Sequence, residues 1–151
     1  MGRKTVREWK KVYQADLSYI VYELKELAKV PAIVFVEGPV GAGKTTFCQH
    51  FIGDDFATSP TYNVISEYKQ ILHADFYRLE KQEEVLQLEL PIYIEDKQWV
   101  FIEWGEKFAR RVLRDLPETW TAYVLDVGVG KSTSDGVEVA RNFTLSNYLE
   151  D

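Results

Sequence analysis

The stretch Gly38-Pro-Val-Gly-Ala-Gly-Lys44-Thr45 fits the pattern G-x-x-x-x-G-K-[ST], and nothing else in the chain constrains the fold as much. The pattern carries chemistry only with a buried strand before it and a helix after it. Both are legible. Ala32 to Val36 is an all-apolar, β-branched run, the mark of a strand covered on both faces. Lys44 to about Ile52 reads as a helix. Glycines let backbone N–H groups turn toward an anion, and the helix aims its positive dipole end at the same point. Lys44 then reaches the β- and γ-phosphates of a nucleotide, and the Thr45 hydroxyl can ligate Mg²⁺. A plain glycine turn that happens to precede Lys-Thr is the bland alternative, and the flanking strand and helix argue against it. Gly128-Val-Gly130-Lys131-Ser132 is a decoy. Leu125 stands where the first glycine is required, and Gly128 to Gly136 reads as a hairpin loop.

The rest of the chain supplies alternating elements. Val12 and Tyr13 read as a short strand, and Asp16 as the N-cap of a helix carrying Leu17, Ile20, Val21, Leu24, Leu27 and Ala28 at helical spacing. Tyr62 to Tyr68 and Gln70 to Phe76 read as strands with a tight connection at Lys69. Glu80 to Leu88 and Glu106 to Asp115 read as helices around the buried strand Trp99 to Ile102. Trp120 to Val127 and Val137 to Leu145 read as a closing hairpin. Helices between buried strands imply parallel pairing, and the late hairpin adds antiparallel strands. The expected fold is α/β, a P-loop NTPase-like three-layer domain with a mixed parallel/antiparallel sheet, over residues 1–151.

Three acidic or polar positions stand out. Glu103 ends a buried strand, and a carboxylate there must be met by a cation, a donor or water. His73, Asp75 and Tyr77 share one strand face. Asp75 is the candidate to hold Mg²⁺ or its water, and Arg78 to fix a phosphate or a carboxylate. His73 and Tyr77 read as structural, and so does Trp104 by default. Thr58-Ser-Pro-Thr61 lies where a loop sensing the γ-phosphate would sit, although a Ser-Pro turn alone explains it. Lys107, Arg110, Arg111 and Arg114 form a basic helix face, the best surface for an anionic partner.

Composition narrows the function further. With 18 Lys+Arg against 24 Asp+Glu the net charge is −6, which disfavours unaided nucleic-acid binding. A lone cysteine, Cys48, cannot form an internal disulfide or a cysteine zinc site, and it reads as an inert core thiol of a reducing compartment. Charges near Met1 have no apolar stretch behind them, so no leader is expected. The longest apolar run, Val30 to Val36, is far short of the roughly 20 residues a membrane span needs. A cytoplasmic protein is expected.

The ordered set Gly41-Ala-Gly-Lys-Thr-Thr46, Ser59-Pro-Thr-Tyr62, His73-x-Asp75-x-Tyr77-Arg78-Leu79 and Ile102-Glu-Trp104-x-Glu106 resembles the TsaE family, the small P-loop ATPases of bacterial tRNA threonylcarbamoyladenosine synthesis. The likeness runs from the first helix to the last strand, where Ala140-Arg141-Asn142 also resembles the family. It implies a Mg²⁺-dependent ATPase that works with the TsaB–TsaD heterodimer and meets tRNA only through that complex. Carried onto this chain, it has Gly41, Ala42, Gly43, Lys44, Thr45 and Thr46 binding phosphates. Thr45, Glu103 and Asp75 become the metal's partners, and Thr61 the switch-loop residue. Trp104 belongs to a motif, while Val12 to Leu17 and Arg141 flank the nucleotide. The chain departs from the family pattern at Pro39-Val40 and at Gly105. A nucleoside kinase is the alternative, because Val36 to Thr45 also suits a kinase loop, though 151 residues leave little room for an acceptor pocket and lid. A nucleotide-dependent module that does not hydrolyse is a third reading. No N-K-x-D guanine motif is present, which disfavours a GTPase.

Overall fold

A computed structural model describes residues 2–53, 63–132, 136 and 138–149. Its centre is a seven-stranded sheet in the order β1-β7-β6-β2-β5-β4-β3. β2 (Ala32–Glu37) pairs in parallel with both β5 (Trp99–Glu103) and β6 (Thr121–Ser132), and β5 pairs in parallel with β4 (Ile71–Asp75). β3 (Ile65–Tyr68) closes one edge, and β7 (Val139–Leu149) with β1 (Gly2–Val12) the other, all antiparallel. The sheet is mixed, as the sequence implied.

Two helical layers cover it. Ala32, Val34 and Val36 point to one core with Leu17, Ile20 and Leu24 of α1 (Leu17–Leu27) and Phe47 and Phe51 of α2 (Lys44–Ile52). Ile33 and Phe35 point to a second core with Val85 of α3 (Gln82–Leu88), Leu90 of α4 (Leu90–Tyr93) and Ala109 and Val112 of α5 (Ala109–Arg114). This is why β2 carries no polar residue before Glu37: both faces are buried. Phe47 anchors α2, its ring centroid 5.6 Å from Phe143 and 6.4 Å from Phe101.

Four expectations are corrected. The first strand runs from Gly2 to Val12 and is not confined to Val12–Tyr13. As an edge strand it exposes most of its charged side chains and commits Trp9 and Val12 to the core. Asp16 does not cap α1 with its side chain. Its Oδ2 instead accepts from the Tyr13 N–H at 2.9 Å, closing a 3₁₀ turn over Gln14–Asp16 that leads into the helix. The helix expected over Glu106 to Asp115 begins as a 3₁₀ turn, Glu106–Phe108. Gly128 to Ser132 is strand and not loop: β6 continues to Ser132, with Gly128 opposite Asn142 and Ser132 opposite Val139. The glycines there fit close backbone packing, since a Cβ on Gly130 would lie 3.2 Å from the Ala140 carbonyl oxygen.

Candidate active site

The parallel strands deliver the site. In register, Asp75 of β4 lies opposite Glu103 of β5, and Glu103 lies opposite Val36 of β2. All three strands end on one side of the sheet, where open α/β folds place their ligands. The loop Gly38 to Gly43 leaves β2 at this point and turns into α2. Gly38 has φ +143°, and a Cβ on it would meet the Val127 carbonyl oxygen at 2.2 Å, so only glycine fits. Gly43, at φ +108°, precedes the first helical residue, Lys44.

The Thr45 hydroxyl donates to Glu103 Oε1 at 2.7 Å. His73 Nε2 lies 2.6 Å from Glu103 Oε2. A buried carboxylate needs partners, and these two provide them. Glu103 is only 3% exposed, whereas Asp75 is exposed and accepts the Tyr77 N–H on Oδ1 at 3.0 Å. Thr45, Glu103 and Asp75 line one cleft of about 350 Å³, with Gly41, Gly43, Lys44, Thr46, Tyr77, Trp104 and Arg141 also on its wall. Thr hydroxyl and carboxylate oxygens suit a hard divalent cation such as Mg²⁺.

Lys44 is folded back over its own loop. Its Nζ donates to the carbonyls of Gly38 at 2.6 Å and Pro39 at 2.9 Å, and lies 4.1 Å from the Trp104 ring centroid. Burial pulls its pKa below the ordinary lysine value, against the opposing pull of Glu103, Glu37 and Asp75. Trp104 holds its place with φ +59°, its N–H donating to the Val36 carbonyl at 3.1 Å, and its ring packs on Tyr77 at 5.0 Å.

A second cavity of about 300 Å³ adjoins the first through Gly43, Thr46 and Arg141. Its remaining wall comes from Val12, Tyr13, Gln14, Leu17, Glu138, Val139 and Phe143. The Arg141 Nη2 is 3.5 Å from the Gly41 carbonyl oxygen. The segment Val12 to Leu17 and Arg141 thus come together beside the loop.

The structure therefore gathers Gly41, Gly43, Lys44, Thr45, Thr46, Asp75, Glu103, Trp104 and Arg141 around one continuous space. Ala42 sits buried in the loop, its N–H donating to the Pro39 carbonyl at 3.1 Å. Thr61 and its loop lie outside the described residues. Arg78 is exposed. Two residues read as structural lie at the site's edge. Tyr77 lines the cleft, and His73 holds Glu103. Their shared strand face with Asp75 was the available signal. Glu37 went unnoticed: its Oε2 accepts the N–H groups of Gly105 at 3.0 Å and Glu106 at 3.1 Å, fixing the chain just after Trp104.

Comparison with known proteins bears on the family and the fold. The profile described as threonylcarbamoyl adenosine biosynthesis protein TsaE matches residues 12–134. A tRNA threonylcarbamoyladenosine biosynthesis protein TsaE of Nostoc sp. is 33% identical over 144 residues, 85% of either chain. The TsaE of Rickettsia felis is 38% identical over 100 residues, 56% of this chain and 58% of that protein, so the match spans little more than half the relative. The crystal structure of Bacillus subtilis YdiB shares the fold, with a TM-score of 0.58 at 22% identity, covering 97% of this chain and 88% of that one. The profile match over most of the chain, together with the Nostoc relative, establishes the family: the chain belongs to the TsaE family of tRNA threonylcarbamoyladenosine biosynthesis proteins.

Proposed function

We propose that the chain is a Mg²⁺-dependent, cytoplasmic ATPase that supports threonylcarbamoylation of the tRNA adenosine next to the anticodon. In this reading it acts with the TsaB–TsaD heterodimer and leaves tRNA contact to those partners. The observation that carries the reading is the Thr45–Glu103 hydrogen bond of 2.7 Å at the mouth of the glycine loop, with Lys44 and Asp75 on the same cleft.

The residues divide the work by position. Loop N–H groups from Gly41 to Thr46 cradle the phosphates, and the Lys44 ammonium leaves its loop carbonyls to meet the β- and γ-oxygens. The cavity beside Val12 to Leu17 takes the nucleoside end, and Arg141 stands at the joint between the two spaces. Thr45 and Glu103 would hold the metal. A bound Mg²⁺ supplies charge neutralisation on the phosphate oxygens. Glu103 is already committed to Thr45 and His73, while Asp75 is exposed with one oxygen on its own turn. Asp75 is therefore the better placed to orient the attacking water. Thr61, outside the described residues, is assigned the switch role by family likeness alone.

The test is hydrolysis by the purified chain, alone and with TsaB–TsaD and tRNA. Slow turnover alone and faster turnover in the complex are expected, with Lys44→Ala and Glu103→Ala inactive in both hydrolysis and tRNA modification. Rapid turnover by the isolated chain, or modification supported normally by both variants, would overturn the reading. Phosphate transfer to a nucleoside would favour a kinase instead.

A further inference from the structure

Glu103 has two oxygens with different company. Oε1 accepts from the Thr45 hydroxyl, while Oε2 lies against the buried His73 ring. Behind it on α2 stands Cys48, fully buried. Cys48 Sγ, a ring nitrogen of His73 and a carboxylate oxygen of Glu103 all lie within 4.8 Å of one another. The mechanism above uses neither the thiol nor the ring as a ligand. We infer that Cys48, His73 and Glu103 form a second cation site, selective for Zn²⁺-class ions, on the core side of the magnesium carboxylate.

The donor set decides the class of ion. Thiolate, imidazole and carboxylate together suit a borderline-soft metal and offer Mg²⁺ too few oxygens. Three protein ligands leave a fourth tetrahedral position for water or the Thr45 hydroxyl. With metal–sulfur bonds of about 2.3 Å and metal–nitrogen and metal–oxygen bonds of about 2.0 Å, ligand atoms stand roughly 3.3–3.7 Å apart. The 2.6 Å His73–Glu103 contact must therefore open by somewhat under an ångström, and a separation at the 4.8 Å limit of the triad must close by roughly 1–1.5 Å. Charge also balances: a dication, one thiolate and one carboxylate sum to zero in a buried place. Binding releases the thiol proton, and a ring nitrogen of His73 turns its lone pair to the metal. Without a metal, burial and the charges of Glu103 and Asp75 hold the Cys48 thiol well above its ordinary range, so it waits as an unreactive SH. Entry is through Glu103, which lines the open cleft.

Occupation pulls Glu103 toward the core and away from the cleft, so such an ion inhibits the magnesium-dependent reaction. That consequence rests on the role given to Glu103 above, whereas the site itself does not.

Cobalt(II) titration of the nucleotide-free chain tests the site. Cys48 is the sole cysteine, so any thiolate-to-cobalt charge-transfer band reports it alone. The expected result is such a band with intense tetrahedral visible absorption, saturating at one equivalent per chain and displaced by Zn²⁺. Cys48→Ala should abolish the band, and His73→Asn should weaken cobalt binding at least tenfold. Cys48→Ala should also keep magnesium-dependent hydrolysis while losing sensitivity to Zn²⁺. Absence of the band in the unaltered chain, or equal cobalt affinity after His73→Asn, would overturn the site. A chain that binds cobalt in this way yet hydrolyses no ATP would sink the proposed function and leave the site standing.

Discussion

At the residue scale Lys44 is held by contacts that a bound phosphate would have to replace. Lys44 donates to two loop carbonyls and rests against the Trp104 ring. A cation–π contact of this kind is worth about 0.5–2 kcal/mol, within reach of what phosphate oxygens return. Trp104 itself occupies the left-handed region, which costs a non-glycine residue about 1–2 kcal/mol. That cost is met by placing the ring between Lys44 and Tyr77. Nucleotide binding should therefore pull the ammonium off the indole and change its fluorescence. Trp104→Phe should abolish most of that change while the other three tryptophans remain. An undiminished signal in the variant would show that Lys44 stays put. Glu103→Gln keeps an oxygen for Thr45 but removes the charge. It should bind nucleotide, yet need at least tenfold more Mg²⁺ for half-maximal hydrolysis, a loss of over about 1.4 kcal/mol in metal binding. An unchanged magnesium requirement would remove Glu103 from the metal set.

At the element scale the joint between β2 and α2 is the least tolerant part of the fold. Gly38 combines φ +143° with a carbonyl 2.2 Å from where a Cβ would stand. Gly38→Ala should lower stability by about 2 kcal/mol or more, from strain and from displacing β6. Urea unfolding would read this as a lower midpoint, and an unshifted midpoint would mean that the loop can relax away from Val127. Gly105 is confined by close packing in a similar way. A Cβ there would meet Ile102 Cγ2 at 2.4 Å and Phe35 Cδ1 at 2.9 Å. These elements also show what a sequence can disclose. β2, the glycine loop and α2 were legible because one contiguous stretch encodes them. β1 was not, because its mostly exposed charged residues hide the alternation that marks a strand, and β-bulges break its register. The end of β6 looked like a turn because glycines there serve close packing against β7. In the site, Thr45, Asp75 and Glu103 were legible as types at strand and helix ends. The bond from His73 to Glu103 was not, because only the parallel pairing of β4 with β5 brings them together.

At the scale of the whole molecule, charge is gathered where the sheet meets the Glu106–Phe108 turn. Glu37 at the end of β2, Asp126 on β6 and Glu106 converge there. Arg3 reaches across from the edge strand to pair with Glu106, and with Asp126 at 2.6 Å. Burial raises the pKa of Glu37 above the ordinary carboxylate value, and the charges of Glu106 and Asp126 add to it. The N–H groups of Glu106 and Gly105 work against the rise. Burial likewise raises Asp126, with Arg3 opposing. A raised carboxylate means that the folded chain holds its proton where the unfolded chain has lost it. Stability therefore falls as pH climbs from the ordinary carboxylate value through the raised one, and the charged form remains a burden above that. Glu37→Gln isolates the effect, because its amide oxygen can still accept the N–H groups of Gly105 and Glu106. The variant should unfold at higher urea than the parent at about pH 7, and the gap should close by about pH 4, where both chains carry an uncharged side chain. A parent more stable than the variant at the higher pH would mean that the charge on Glu37 stabilises the turn beneath Trp104, and that this corner of the sheet is built around a carboxylate and not in spite of one.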